Sequence, residues 1–172
     1  MIEYVVGDAT DPQVPGPKII AHICNDVGGW GRGFVLSVTK RYPTAEWAYR
    51  GWYQGNIEST REDPPFRLGE VQLVRVTLDV FVANMIGQHG IMPKNGVQPV
   101  RYDAVEKCLQ TLHICAKVLN ATVHMPRIGC GLAGGKWSEI EPIVNRALAR
   151  DNVKTYVYDF DTKDHRTIRW NK

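Results

Sequence analysis

The sequence lacks the residue patterns that mark several classes of protein. No two of its four cysteines have the C-x-x-C spacing of a zinc or thiol redox site. Its five histidines show no ligand spacing with one another, so neither a metal nor any other cofactor is expected. No stretch reaches the roughly 18 apolar residues of a membrane span, and no segment resembles a signal peptide. We therefore predict free thiols in a reducing compartment, no membrane partner and a cytoplasmic protein.

A strong excess of charge of one sign is also missing. The chain has 21 basic and 18 acidic residues, a net charge of +3 and no block of lysine or arginine. Direct nucleic-acid binding is therefore not expected, although a mildly basic domain suits an anionic ligand. With 172 residues, 44% of them hydrophobic, the chain can bury one core without disulfides or metals.

Strand-like and helix-like segments alternate along the chain. Strands are predicted over residues 2–6, 18–23, 70–76, 80–86, 122–126 and 153–160. Helices are predicted over 33–42, 45–54, 100–120 and 138–149, the last with a capping box of Ser138 and Glu141. Residues 56–67 read as a loop and 161–172 as a polar tail. The pattern predicts a three-layer α/β/α domain over residues 1–160 with a central mixed sheet, whose ligands bind beyond the carboxyl ends of the strands.

A glycine-rich loop follows the second predicted strand. It holds four glycines within six residues, at Gly28, Gly29, Gly31 and Gly33. Glycine lets a backbone approach a ligand closely, so successive amides can form a nest for phosphate oxygens. A loop that is merely flexible is the alternative. Asn25 could bind a ribose diol or form a turn, and Trp30 could cover a ligand or anchor the loop to the core.

A second glycine-rich loop follows the fifth predicted strand, with Gly129, Gly131, Gly134 and Gly135. Two such loops at strand ends could close on one diphosphate from opposite sides. Cys130 lies between two of these glycines, where it could act as a nucleophile or simply line a pocket.

Other candidate residues also follow strands. Asp8 could accept a hydrogen bond from an adenine amine or cap a turn. His89 could act as an acid or base, bind a ligand hydroxyl or be structural, and Gln88 could position a water. An aromatic side chain leaving the last strand could stack on adenine; alternation places three on one face, namely Tyr156, Tyr158 and Phe160.

Three of these segments resemble the macrodomain family. GDAT after the first strand resembles the family's G-D-I-T signature, and IAHICNDVGGWGRGF and MPRIGCGLAGGKW resemble its two ligand-binding loops. The sequences of these motifs are similar to those of the ALC1-like branch and of bacterial ADP-ribose-processing macrodomains. The resemblance covers residues 2–160. It implies a macrodomain fold and, as partner, ADP-ribose or an ADP-ribosylated protein.

The resemblance also implies roles for individual positions. Asp8, supported by the Ala9 backbone, would contact adenine, and Phe160 would lie at its edge or face. Asn25 would face the distal ribose. Loop residues would hold that ribose and the diphosphate, namely Gly29, Trp30, Gly31 and Gly33 from one side and Gly129, Cys130, Gly131, Leu132, Ala133 and Gly134 from the other. His22 falls on a position proposed to be catalytic in phosphatase relatives, although its apolar strand also favours a core histidine.

The sequence departs from its glycohydrolase relatives at two positions. Their nucleophilic lysine aligns with Gln88, and their loop aspartate aligns with Ala133, so no covalent lysine intermediate is expected. Three functions remain open. The chain could hydrolyse ADP-ribose from acidic side chains with a water positioned by Asn25, Asp26, Gln88 and His89. It could instead be an ADP-ribose 1″-phosphate phosphatase that uses His22, or a non-catalytic reader of ADP-ribose.

Overall fold

The computed structural model describes residues 2–55, 63–148 and 152–160. The predicted tail at 161–172 and residues 56–62 of the predicted loop lie outside this range. All four cysteines are free thiols, as predicted. Within the described ranges, no helix combines the length and the apolar character that a membrane crossing requires.

Six strands within the described ranges form one mixed sheet. They are β1 (Ile2–Val6), β2 (Lys18–Asn25), β3 (Val71–Arg75), β4 (Val80–Gln88), β5 (Thr122–Pro126) and β6 (Thr155–Asp159). Their order across the sheet is β1-β6-β5-β2-β4-β3. Only β3 runs antiparallel to its neighbour, so the other five strands have their carboxyl ends at the same edge. We call this the carboxyl edge.

In the part of the chain that the structure describes, four helices cover the two faces of the sheet. They are α1 (Phe34–Arg41), α2 (Pro43–Gln54), α3 (Tyr102–Leu119) and α4 (Trp137–Leu148). On one face, α3 and α4 bury residues such as Leu109 and Ile140 against the sheet. On the other face, α1 and α2 bury a second core that includes Val38 and Tyr49. The predicted three-layer α/β/α fold with a mixed sheet is therefore confirmed.

Several predicted boundaries are corrected. β2 and β4 each extend two residues further, because Asn25 still pairs with Gln88 beyond a bulge. α4 begins at Trp137, which places Ser138 inside the helix, and the amides of Glu139 and Ile140 donate to the Lys136 carbonyl. The predicted capping box is therefore wrong. Its acidic member faces a different partner, since Glu141 accepts a hydrogen bond from the Tyr4 hydroxyl.

Candidate functional site

The predicted site residues lie along the carboxyl edge in the order of the strands. Asp8 follows β1, Phe160 follows β6, and the second glycine loop (residues 127–136) follows β5. The first glycine loop (residues 26–33) follows β2, and His89 follows β4. Because these strands are adjacent and parallel, residues far apart in sequence form one continuous strip of the surface.

Asn25 organises the first glycine loop from the end of β2. Its side-chain oxygen accepts hydrogen bonds from the amides of Val27 at 3.1 Å and Gly29 at 2.8 Å, and its Nδ2 donates to the Gly29 carbonyl at 2.7 Å. The Tyr49 hydroxyl donates to the Asn25 carbonyl at 2.7 Å. Asn25 therefore fixes the shape of the loop, and α2 supports it through Tyr49.

At two positions of this loop the backbone conformation requires glycine. Gly28 and Gly33 have φ angles of 73° and 85°, a region that disfavours side chains. A Cβ at Gly28 would also lie 2.3 Å from the Tyr53 ring. Gly31 is different, because a Cβ there would meet nothing within 4 Å. Among the described residues, the amides of Gly31, Arg32 and Gly33 make no hydrogen bond, so they are available to acceptor atoms of a ligand.

Trp30 anchors the first glycine loop to the core. Its side chain is buried, its Nε1 donates to the Thr39 hydroxyl at 2.7 Å, and its ring packs between Tyr49 and His22. The burial of the indole favours the predicted anchoring role over the alternative that it covers a ligand. Its contribution to the site is to hold the loop backbone in place.

His22 is a core residue of β2 and is only 2% exposed. Asn84 donates through Nδ2 to the Gln72 oxygen and the Ala45 carbonyl, which leaves its Oδ1 as the acceptor for His22 Nε2–H at 2.6 Å. Burial lowers the pKa of His22 to about 4, which keeps the ring neutral. The burial argues against the predicted acid–base role, because a substrate cannot reach this imidazole.

The second glycine loop turns twice in the left-handed region, at Gly129 and Gly134. It is closed internally, since the Gly135 amide donates to the Gly129 carbonyl at 2.8 Å. Ala133 is buried and its carbonyl accepts from the Val100 amide at 3.0 Å, whereas Leu132 is exposed. The amides of Gly131, Leu132 and Ala133 have no hydrogen-bond acceptor within the described part of the chain. This loop therefore presents a second row of available donors.

Cys130 fits the lining role better than the nucleophilic one. Its Sγ lies 3.4 Å from the Ile128 carbonyl, to which it donates. Burial raises the pKa of the thiol, and the nearby Arg127 only partly opposes this. A thiol with a raised pKa is a poor nucleophile near neutral pH because little thiolate is present.

Arg127 fastens the two ends of the second glycine loop. Its guanidinium makes a two-pronged ion pair with Asp159, at 2.6 and 2.8 Å. It also lies over the rings of Tyr4 and Trp137, at 5.3 and 5.5 Å from their centroids. Because Arg127 begins the loop and Trp137 begins α4, these contacts fix the width of the loop base.

At the β1 end, Asp8 forms the turn that was one of its two predicted roles. Its Oδ1 accepts from the Thr10 amide at 2.8 Å and the Thr10 hydroxyl at 2.7 Å. Its other oxygen lies 3.8 Å from Arg41, and the side chain is half exposed. That oxygen therefore remains accessible to a donor such as an amine. The adjacent Ala9 is buried.

The three aromatic residues in and after β6 differ in whether their side chains already contact other residues. The Tyr156 ring stacks on the buried His124, and the Tyr158 hydroxyl lies 2.9 Å from His124 Nδ1. Phe160 follows the strand and is 56% exposed. Of the three, Phe160 has the ring that is most available to a planar ligand.

At the β4 end, His89 pairs with Asp26. Asp26 Oδ2 lies 2.7 Å from His89 Nδ1, and Asp26 Oδ1 accepts from the Gly90 amide at 2.8 Å. Gln88 turns its Nε2 toward the Gly90 carbonyl at 3.0 Å. A carboxylate–imidazole pair therefore joins the first residue of the first glycine loop to the residue that follows β4.

Sequence reasoning missed the residues that support the site. Tyr49 contacts Asn25, Arg41 lies near Asp8, and Arg127 contacts Trp137 at the start of α4. Tyr49 carried no signal beyond an apolar position on a helix. Arg41 lies at the end of α1, far from Asp8 in sequence, and only the fold brings the two side chains together.

Comparisons with known proteins agree on one family, although no family model matches the chain. The chain is 49% identical to a solved macrodomain protein from Streptomyces coelicolor, with a TM-score of 0.78 over 92% of this chain and 99% of that one. It is 31% identical over 170 residues to the mouse chromodomain-helicase-DNA-binding protein 1-like, and spans only 18% of that protein's length. It is 24% identical to an ADP-ribose 1″-phosphate phosphatase of Lodderomyces elongisporus, covering 92% of this chain and 99% of that protein.

Proposed function

This chain belongs to the macrodomain family, and on that premise we propose that it binds ADP-ribose and hydrolyses it from modified acidic side chains of proteins. The observation that carries the proposal is the order of groups along the carboxyl edge. Asp8 and Phe160 come first, two rows of loop amides follow, and His89 comes last. ADP-ribose has the same linear order, with adenine at one end, a diphosphate in the middle and the distal ribose at the other.

The available backbone amides support the central part of this assignment. Both glycine loops present unpaired N–H groups, and backbone donors held in place bind phosphate oxygens without a dedicated lysine. Arg41 and Arg127, two arginines beside the strip, already contact carboxylates. Diphosphate binding is therefore assigned to the loop backbones rather than to either of these two side chains.

The distal end supports hydrolysis by water. Asn25, Gln88 and His89 lie where β2 and β4 end side by side, and none of them is the lysine of the glycohydrolase relatives. An ester that joins a carboxylate to the anomeric carbon of a ribose is labile, so a positioned water is sufficient chemistry. We assign Asn25 to shaping the loop around the ribose and Gln88 and His89 to the water.

Phosphatase activity on ADP-ribose 1″-phosphate is the second candidate. The similarity to the Lodderomyces elongisporus phosphatase favours it. The burial of His22 counts against it, because the acid–base group that this reaction was expected to use lies in the core.

One experiment separates these functions. Calorimetry measures ADP-ribose binding, and the protein is then incubated with peptides that carry ADP-ribose on glutamate, serine or arginine, and with ADP-ribose 1″-phosphate. We expect release of ADP-ribose from the glutamate ester and none from the arginine linkage, because only the ester has a carboxylate leaving group. Release of phosphate instead would establish the phosphatase. Binding without turnover of any substrate would establish a reader and overturn the hydrolase assignment.

A further inference from the structure

We propose that Asp26 and His89 act as a unit in which Asp26 positions His89, and His89 Nε2 takes the proton from the hydrolytic water. This inference rests on the proposed function and assigns its base. It identifies Asp26 as a positioning residue that acts through the imidazole. Gln88, the other group assigned to the water, cannot transfer a proton because its amide does not titrate.

The hydrogen bonds of Asp26 determine which nitrogen of His89 is free. An ionised carboxylate only accepts hydrogen bonds, so the contact of 2.7 Å places the proton on His89 Nδ1. The second carboxylate oxygen is occupied by the Gly90 amide at 2.8 Å. Neutral His89 therefore carries its lone pair on Nε2, which is the atom that faces away from Asp26.

The two side chains differ in solvent exposure, which suits Asp26 to the supporting role and His89 to the reacting role. The Asp26 side chain is 17% exposed, whereas that of His89 is 56% exposed. A carboxylate that is largely covered holds one orientation, and an imidazole that is open to solvent can reach a substrate and release a proton afterwards.

The backbone around the pair is fixed from both strands. Cys24 pairs with Ile86 and Asn25 with Gln88, so Gly87 of β4 is the extra residue of a bulge. The Asp26 amide donates to the Gln88 carbonyl at 3.1 Å. The His89 amide donates to the Pro99 carbonyl at 2.8 Å. Bulges near strand ends redirect the side chains of the bulged strand, and here the extra residue lies in β4, directly before Gln88 and His89.

The proposed step conserves atoms and charge. His89 Nε2 takes one proton from water while the water oxygen forms a bond to the anomeric carbon of the distal ribose. The bond from that carbon to the carboxylate oxygen breaks, and the carboxylate leaves with the bonding electron pair. His89 then returns its proton to solvent, which leaves free ADP-ribose and an unmodified acidic side chain.

The test uses three variants of the whole protein, His89→Ala, Asp26→Asn and the remote control Glu106→Gln. Turnover of glutamate-linked ADP-ribose is measured with and without added imidazole, beside ADP-ribose affinity by calorimetry and thermal melting. We expect kcat of H89A to fall by about 100-fold and to recover in imidazole, which can occupy the vacated place of an exposed side chain. ADP-ribose affinity should change by less than about threefold, since the residue acts on water.

The Asp26→Asn variant tests the positioning role. Its amide nitrogen would donate to Nδ1, which moves the ring proton to Nε2 and removes the base. We expect a loss of kcat similar to that of H89A, which imidazole does not restore because His89 still occupies its place. The control variant should retain the activity of the wild-type protein, since Glu106 pairs with Arg146 between α3 and α4.

Failure of this inference differs from failure of the proposed function. Full turnover by folded H89A, or a loss that imidazole leaves unchanged, overturns the base assignment while hydrolysis by the wild-type protein stands. Wild-type activity in Asp26→Asn overturns the positioning role. A wild-type protein that binds ADP-ribose and hydrolyses none of the linkages overturns both.

Discussion

At the scale of single residues, the side chains at the end of the strip proposed for adenine differ in the other contacts they make. Tyr156 and Tyr158 both contact His124, and one of the two carboxylate oxygens of Asp8 accepts a hydrogen bond from Thr10. Phe160 has its ring mostly in solvent. Because the Phe160 side chain is largely exposed, it can be replaced without disturbing the fold. Its proposed part in binding can therefore be measured directly.

We expect Phe160→Ala to weaken ADP-ribose binding by about tenfold, since stacking of a base on an aromatic ring contributes on the order of 1–3 kcal/mol. The melting temperature should stay near that of the wild-type protein because the side chain is exposed. Calorimetry provides the affinity. Leu78→Ala, an exposed apolar residue at the turn before β4, is the control and should leave binding unchanged. Equal affinities in the two variants would show that adenine is held elsewhere.

Residue roles were predictable from sequence only where a local pattern determines them. The position of Asp8 and of the glycines after strands was predicted, because strand ends and glycine clusters are local features. The direction of Trp30 was not, because its partners Thr39 and Tyr49 belong to helices that come later in the chain. Asp26 and His89 were each candidates, but 63 residues separate them and nothing in the sequence pairs them.

At the scale of elements, each glycine loop combines glycines that shape the backbone with glycines that leave space. Gly28 and Gly31 illustrate the two kinds within one loop. The first has a left-handed backbone beside the Tyr53 ring, and the second has an ordinary backbone with open space around it. Replacing each by alanine therefore separates the two requirements.

Gly28→Ala should lower both stability and ADP-ribose affinity. Left-handed backbone costs an alanine about 1–2 kcal/mol, and its methyl group would also displace Tyr53. Gly31→Ala should leave the melting temperature unchanged but weaken binding, because its methyl group would occupy space proposed for the ligand. Differential scanning fluorimetry and calorimetry measure the two effects. Unchanged affinity in Gly31→Ala would place the ligand away from this part of the loop.

The elements themselves were largely predictable, and their ends were not. Periodic apolar positions predicted all six strands and all four helices. Helix α3 begins at Tyr102 rather than at 100 because Val100 instead makes a bridge to Gln88. β2 extends through Asn25, a residue typical of turns, because the neighbouring β4 supplies a pairing partner. Both corrections arise from hydrogen-bonded pairing between segments that are distant in sequence. The secondary-structure propensities of individual residues do not describe such pairing.

At the scale of the whole molecule, two buried histidines link stability to pH. Burial lowers the pKa of both His22 and His124 to about 4, against 6.5 for an ordinary histidine. The unfolded chain therefore binds protons between these values while the folded protein does not. Stability is highest above about pH 6.5 and is lost as the pH falls toward 4.

We expect the free energy of unfolding to fall between pH 7 and pH 5 by roughly 2 kcal/mol for each of these histidines. Carboxylates such as Glu70 and Asp159, whose pKa values are lowered by basic partners, stay ionised in that range and do not contribute. Urea unfolding followed by tryptophan fluorescence measures the effect. His22→Gln should flatten the slope by about half. A slope that this substitution leaves unchanged would contradict the assignment.

The order of strands along the carboxyl edge has a consequence for ligand length. Four steps separate β1 from β4 along the sheet, and neighbouring strands lie about 4.8 Å apart, so the strip is roughly 19 Å long. If the strip is the ligand site, its length therefore selects ligands by their own length. If the proposed function holds, a mononucleotide would fill one end and leave the other in water, whereas an extended dinucleotide-sized molecule would contact both. Discrimination by span needs no side chain that rejects the shorter molecule, because the sheet itself sets the distance.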